Sequence, residues 1–137
     1  MPLATKLVLV VRDDLEPAPA VNAAAVAGLS LGARLGRPLG GDGVDASGGW
    51  HAGLNPHPVP VLTASAEELR DLHHRALSRE DLITVGFNEV ARRARDYDDY
   101  LATLKATPSE DIDFVAVAVF GPRNRVTALT KRLPLLA

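Results

Sequence analysis

The stretch Lys6-Leu7-Val8-Leu9-Val10-Val11-Arg12 decides the fold. Consecutive apolar residues make both faces of a pleated strand apolar, and only a strand covered on both sides can bury them. Phe114-Val115-Ala116-Val117-Ala118-Val119-Phe120 repeats the pattern near the other end of the chain. The two runs predict adjacent strands at the centre of a sheet with helices on both faces.

Working outward, Asp13-Asp14-Leu15 leaves the sheet, and Pro17 and Pro19 predict no helix before about Ala20. From Ala20 to about Leu35 the pattern is helical, with Val21, Ala24, Ala25, Gly28, Gly32 and Leu35 on one stripe. Interior glycines cost roughly 1 kcal/mol each against alanine, and close packing on a strand is the expected compensation. Gly36 to Gly53 is a glycine-rich loop with a short hairpin through Val44-Asp45, and it ends near Trp50-His51. Pro58 to Leu62 predicts a short edge strand. Ser65 and Glu68 form a capping box that opens a helix to about Leu77, buried on Leu69, Leu72, Ala76 and Leu77. Leu82 to Val85 is β-prone and closed by Gly86, and Asn88 to Lys105 predicts two short surface helices. Gly121-Pro122 ends the last strand, with Pro122 suited to a first helical turn. Val126, Leu129, Thr130 and Leu133 follow at helical spacing up to Pro134. Such alternation predicts one α/β layered domain over residues 1–137, with a mostly parallel sheet.

Composition narrows the function classes. Apolar residues make up 47% and charged residues 23%, which excludes a disordered chain. Fifteen Lys and Arg against 17 Asp and Glu leave a net charge of −2, so neither nucleic acid nor an anionic membrane is an expected partner. The absence of cysteine excludes disulfides, thiolate nucleophiles and cysteine-based zinc sites. No apolar run approaches the ~18 residues of a membrane span. Met1 to Lys6 lacks the pattern of a secretory signal, and the expected location is the cytoplasm. No P-loop or GxGxxG pattern occurs, and no cofactor is expected.

The two ends of the chain carry a resemblance. Leu7 to Leu15, followed by an alanine-rich helix, resembles the opening of the type II peptidyl-tRNA hydrolases. Val117 to Pro122, Val126-Thr127 and Leu133 to Leu136 resemble the end of that family. Val44-Asp45-Ala46, His51-Ala52-Gly53, Pro58 to Leu62, Arg95 to Asp98 and Thr107-Pro108 look closer to a relative of it, the family catalogued as "domain of unknown function two thousand". The resemblance implies a three-layer α/β/α sandwich around a four-stranded mixed sheet, with the last strand antiparallel, and a homodimer. The hydrolase residues do not carry across. Glu16-Pro17-Ala18-Pro19-Ala20 replaces a stretch of lysines and glycines, Ala24 stands near the family's glutamine, and Gly86-Phe87-Asn88 near its Asp-Ala-Gly.

In open α/β sheets ligands sit at the carboxyl ends of strands. That edge is expected to gather Asp13, Asp14, Asn22 and Asn88, with unpaired N–H groups of the first helix suited to an anion. His51, near Asp42 and Asp45, is expected to fold back over the end of the first strand, within reach of Asp14 and Asn22. A His–carboxylate pair of that kind serves as general base or ligand contact. His57 makes a histidine metal site conceivable, but the spacing matches no metal motif and none is assigned. His73 borders the buried stripe of its helix and reads as an edge-of-core residue, while Arg92, Arg93 and Arg95 with Asp96, Asp98 and Asp99 read as a solvated mixed-charge face. Three functions follow. The first is a domain binding a small or anionic ligand, without peptidyl-tRNA hydrolase activity. The second is a hydrolase of unknown substrate using Asp14, Asn22 and His51, and the third a structural dimer module.

Overall fold

The computed structural model describes residues 3–36 and 39–137. Met1 and Pro2 of the N-terminal stretch, and Arg37 and Pro38 of the glycine-rich loop, lie outside the described residues. In chain order the elements are β1 (Thr5–Arg12), α1 (Pro17–Leu35), β2 (Gly43–Val44), β3 (Trp50–His51), β4 (Val61–Ala64) and α2 (Ala66–Leu77). They continue with β5 (Ile83–Asn88), α3 (Glu89–Arg93), α4 (Tyr97–Lys105), β6 (Phe114–Pro122) and α5 (Arg123–Thr130).

Four strands form one sheet in the order β4-β1-β6-β5. β1 pairs with β4 in parallel, whereas β6 runs antiparallel to both β1 and β5. The two apolar runs are therefore neighbours at the sheet centre, with Leu7 opposite Phe120 and Val11 opposite Ala116. The alternation of β1 divides the core. Leu7, Leu9 and Val11 pack with Ala23, Ala27 and Leu31 of α1. Val8 and Val10 pack with Leu69, Leu72 and Ala76 of α2 and Val126 of α5. A buried Val or Leu contributes about 1.5–3 kcal/mol, so the central pair could not stand at a wet edge without losing much of the domain's stability.

Local chemistry shapes the helices. α1 begins at Pro17, earlier than the prolines predict, because Pro17 and Pro19 lie in its first turn. There a missing N–H breaks no helical bond. Its buried face is also rotated from the expected stripe: Ala20, Ala23, Ala27 and Leu31 are inside, and Val21 is exposed. Gly28 meets Leu9 at ordinary contact distance, while Gly32 has nothing near the position of a Cβ. Close strand packing therefore explains neither glycine. The capping box of α2 is complete: Glu68 N–H donates to Ser65 Oγ at 3.1 Å, and Ser65 N–H to Glu68 Oε1 at 2.9 Å. Leu77 ends that helix exposed, not buried.

Gly86 does not close β5; the strand continues through it to Asn88. A Cβ there would lie 2.6 Å from Phe114 Cε1 and 2.8 Å from His73 Cδ2. Glycine is needed for the close approach of a neighbouring ring, one of its recurrent uses inside strands. His73 is stacked on Phe114 with ring centroids 4.1 Å apart. Burial, helped by neighbouring His74, pulls His73 below the ordinary histidine range.

The sheet's two edges are treated differently. Along β4, residues 133–136 run antiparallel to the strand: Thr63 N–H donates to Pro134 O at 2.8 Å and Leu136 N–H to Val61 O at 2.9 Å. Along β5, among the described residues, no strand pairs with the outer edge.

Candidate functional site

Arg12, the last residue of β1, organises the carboxyl end of the sheet. Its Nε donates to Asp14 Oδ1 at 2.6 Å, and its Nη1 to Glu89 Oε1 at 3.1 Å. Glu89, the first residue of α3, also receives Arg92 at 2.9 Å and Arg93 at 3.1 Å. Burial pushes the Glu89 carboxyl up, but hydrogen bonds and charge from Arg92 and Arg12 outweigh it, and the group titrates below the usual range. The Arg12 hydrogen bond is the main cause that lowers Asp14. Both carboxylates are thus engaged by arginines and held at low basicity, whereas a general base works best with its pKa raised towards the operating pH.

The other expected residues of that edge are dispersed in role. Asn88 is buried and N-caps α3, its Oδ1 accepting from Ala91 N–H at 2.9 Å. The Asp13 backbone donates to Ala64 O, and its side chain is exposed, as is Asn22. The start of α1 is a poor anion cradle: Pro17 and Pro19 carry no N–H, and Ala20 N–H already bonds Glu16 O at 3.1 Å. Only Ala18 retains a free donor in that turn, where a typical helix start offers several.

Asp45 and His51 belong elsewhere. They sit on the β2–β3 hairpin, where Asp45 Oδ1 accepts from Ser47 and Gly49 N–H, and Oδ2 meets His51 Nε2 at 2.9 Å. The His51 contact is the main cause that lowers Asp45. The loop returns to the body through His57, whose Nε2 lies 2.8 Å from Thr5 Oγ1 and whose ring meets Phe120 edge-on. Thr5 starts β1 and Arg12 ends it, about 23 Å apart at ~3.3 Å per residue. The expectation that His51 folds back to Asp14 and Asn22 is therefore corrected. α1 carries the chain back along β1 before β4 begins, so the loop attaches to the opposite end of the sheet. His51 and His57 have separate partners, and among the described residues no three His, Asp or Glu side chains gather as for a metal ion.

The structure offers a different concavity. A cleft of about 670 Å³ runs beside the open edge of β5. Thr84 to Phe87 form its floor, Val26, Ser30 and Arg34 of α1 one wall, and Leu77, Tyr97 and Tyr100 the other. The two tyrosine rings meet edge-to-face at 5.5 Å. Arg34 has no hydrogen-bond or ion-pair partner among the described residues. Thr84 Oγ1 is buried without a hydrogen bond among the described residues. Sequence reading missed this site because its residues come from five elements whose meeting depends on strand order. The signal available was the pair Tyr97 and Tyr100, unusual in a chain with two tyrosines.

No curated protein is significantly similar to the chain. Among solved structures, it resembles the protein of unknown function Atu0240 from Agrobacterium tumefaciens strain C58, with a TM-score of 0.88 at 25% identity. That match covers 99% of this chain and 100% of the other. Residues 5–137 match the family described as protein of unknown function DUF2000. With nearly its whole length matched, the chain belongs to the DUF2000 family.

Proposed function

We propose that this domain binds a small amphipathic carboxylate in the β5 cleft, on a three-layer scaffold resembling the type II peptidyl-tRNA hydrolases. The observation that carries the reading is the Arg34 guanidinium, without a partner among the described residues, on the wall of a cleft of about 670 Å³ whose lining mixes apolar and polar groups. Small-molecule sites are commonly ~300–1,000 Å³, apolar with a few placed polar groups. A guanidinium matches a planar carboxylate with two parallel hydrogen bonds. Val26 and Tyr97 supply apolar walls, and Ser30 and Tyr100 supply further hydroxyls. The homodimer stays part of this reading on the strength of the resemblance, and the cytoplasmic location on the cysteine-free composition. No helix among the described residues is long and apolar enough to cross a membrane.

Isothermal titration calorimetry with phenylacetate, indole-3-acetate and octanoate tests the reading. Saturable binding is expected, weakened ~10–100-fold by Arg34→Ala, the worth of a charge-assisted hydrogen bond. Equal binding of the corresponding neutral amides would overturn it. The same reading holds that the chain does not hydrolyse peptidyl-tRNA. Its support is the start of α1, where Pro17 and Pro19 supply no N–H donors, and the occupation of Asp14 and Glu89 by Arg12. Release of free tRNA at the rate of a known type II enzyme would refute that part.

A further inference from the structure

We propose that the natural occupant of the β5 cleft is the carboxyl-terminal tail of another polypeptide, bound as an added β-strand. This rests on the reading of the cleft above and names its ligand class.

The floor of the cleft is a strand edge. β5 pairs with β6 on one side, and Thr84 to Phe87 line the cleft on the other. Their outward N–H and C=O groups are satisfied by no strand among the described residues. Exposed edges are usually blunted by proline, charge or cover. This chain applies two of those devices to its other edge, where Pro58 and Pro60 precede β4 and residues 133–136 lie along it. Along β5 itself neither device appears: Ile83 to Phe87 contain neither proline nor charge, and among the described residues no segment lies along the strand. The same chain thus shows an extended segment seated on one edge and, among the described residues, none on the other.

The walls select the kind of partner. The edge is recessed between α1 on one side and Leu77 and the α3–α4 segment on the other. A second copy would bring an edge recessed behind the same walls, and the walls would meet before the strands. A lone extended peptide enters such a groove and hydrogen-bonds to the edge, with alternate side chains reaching the two walls. Its apolar side chains would cover Val26, Leu77 and Tyr97, which are 37%, 63% and 70% exposed.

Charge sets the direction. Arg34 lies in the last turn of α1, at the end of the sheet where β5 begins, and Asp96 lies at the other end of the cleft. A peptide antiparallel to β5 delivers its terminal carboxylate to Arg34. A Lys or Arg several residues upstream then falls near Asp96. Five to six residues span the strand at ~3.3 Å each.

The probe is a pool of random hexapeptides with free carboxyl termini, incubated with the full chain and read by mass spectrometry of the retained fraction. Enrichment of apolar tails with an upstream basic residue is expected. Resynthesised winners should lose at least tenfold in affinity when amidated, when alternate backbone nitrogens are methylated, or against Arg34→Ala, which is exposed and leaves the fold intact. No enrichment, or equal binding of the amidated or N-methylated peptides, overturns the inference. If the aromatic carboxylates bind and peptides do not, the cleft reading stands and the peptide falls; if neither binds, both fall. A stable dimer by light scattering that excludes peptide would also overturn it, in favour of a second copy.

Discussion

Gly86→Ala tests the packing that joins the cleft floor to the core. The new methyl would stand 2.6 and 2.9 Å from two atoms of the Phe114 ring and 2.8 Å from His73 Cδ2. Phe114 is 8% exposed and stacked on His73, so neither ring can swing into solvent without leaving the core. Overpacking of this size costs ~1–3 kcal/mol, against ~0.5–1 kcal/mol recovered from replacing glycine in a strand. A net loss of ~1–2 kcal/mol is expected. Unfolding entropy near ~2.1 cal/mol/K per residue gives about 0.29 kcal/mol/K for this chain, so the melting temperature should fall by about 3–7 °C. The assay is thermal unfolding by circular dichroism, repeated in a cycle with His73→Ala. Removing the imidazole opens one of the two contacts, and the pair should couple by at least ~0.5 kcal/mol. An unchanged or raised melting temperature for Gly86→Ala, or strict additivity with His73→Ala, would refute the close-approach explanation of that glycine.

Three further outcomes follow from the electrostatics. Glu89 titrates below its ordinary value, so its stabilisation is present above about pH 4.3 and lost as pH falls through the lower folded-state value. Glu89→Gln should cost about 2–3 kcal/mol at pH 7, because Arg12 is left with one partner fewer in a largely buried place, and should flatten the acid limb of a urea-denaturation pH series. His73 is also lowered, so the unfolded chain takes up its proton first. Stability should fall as pH drops from about 6.5 towards the folded-state value, and His73→Leu should remove that limb. Asp45→Ala should release the β2–β3 hairpin, seen as loss of amide exchange protection at Ser47 and Gly49. It should leave the global melting temperature unchanged, since residues 39–52 are exposed throughout and bury none of the core.

What the sequence determined by itself was local or one-dimensional. Leu7–Val11 and Phe114–Phe120 are apolar on both faces, and no environment but a doubly covered sheet centre can absorb them. Ser65 and Glu68 stand three residues apart, and their reciprocal bonds need nothing beyond the helix they open. The hairpin near Val44-Asp45 and the two short helices between Asn88 and Lys105 were legible for the same reason. The start of α1 departs from the expectation because the first helical turn has no bond for Pro17 or Pro19 to break. Gly86 looks like a strand terminator in sequence because its cause, the Phe114 ring, comes from a strand 28 residues away. The candidate site depended wholly on tertiary structure. Asp14, Asn22 and His51 all precede β4, yet the return of α1 along β1 puts the hairpin at the far end of the sheet. Arg34 stands 50 residues before Thr84, and only the placing of β5 at the sheet's edge brings it around one cleft with Thr84 and Tyr97. Burial patterns report how many faces a strand must hide, but not which neighbour stands beside it, and that choice decides where an edge is left open.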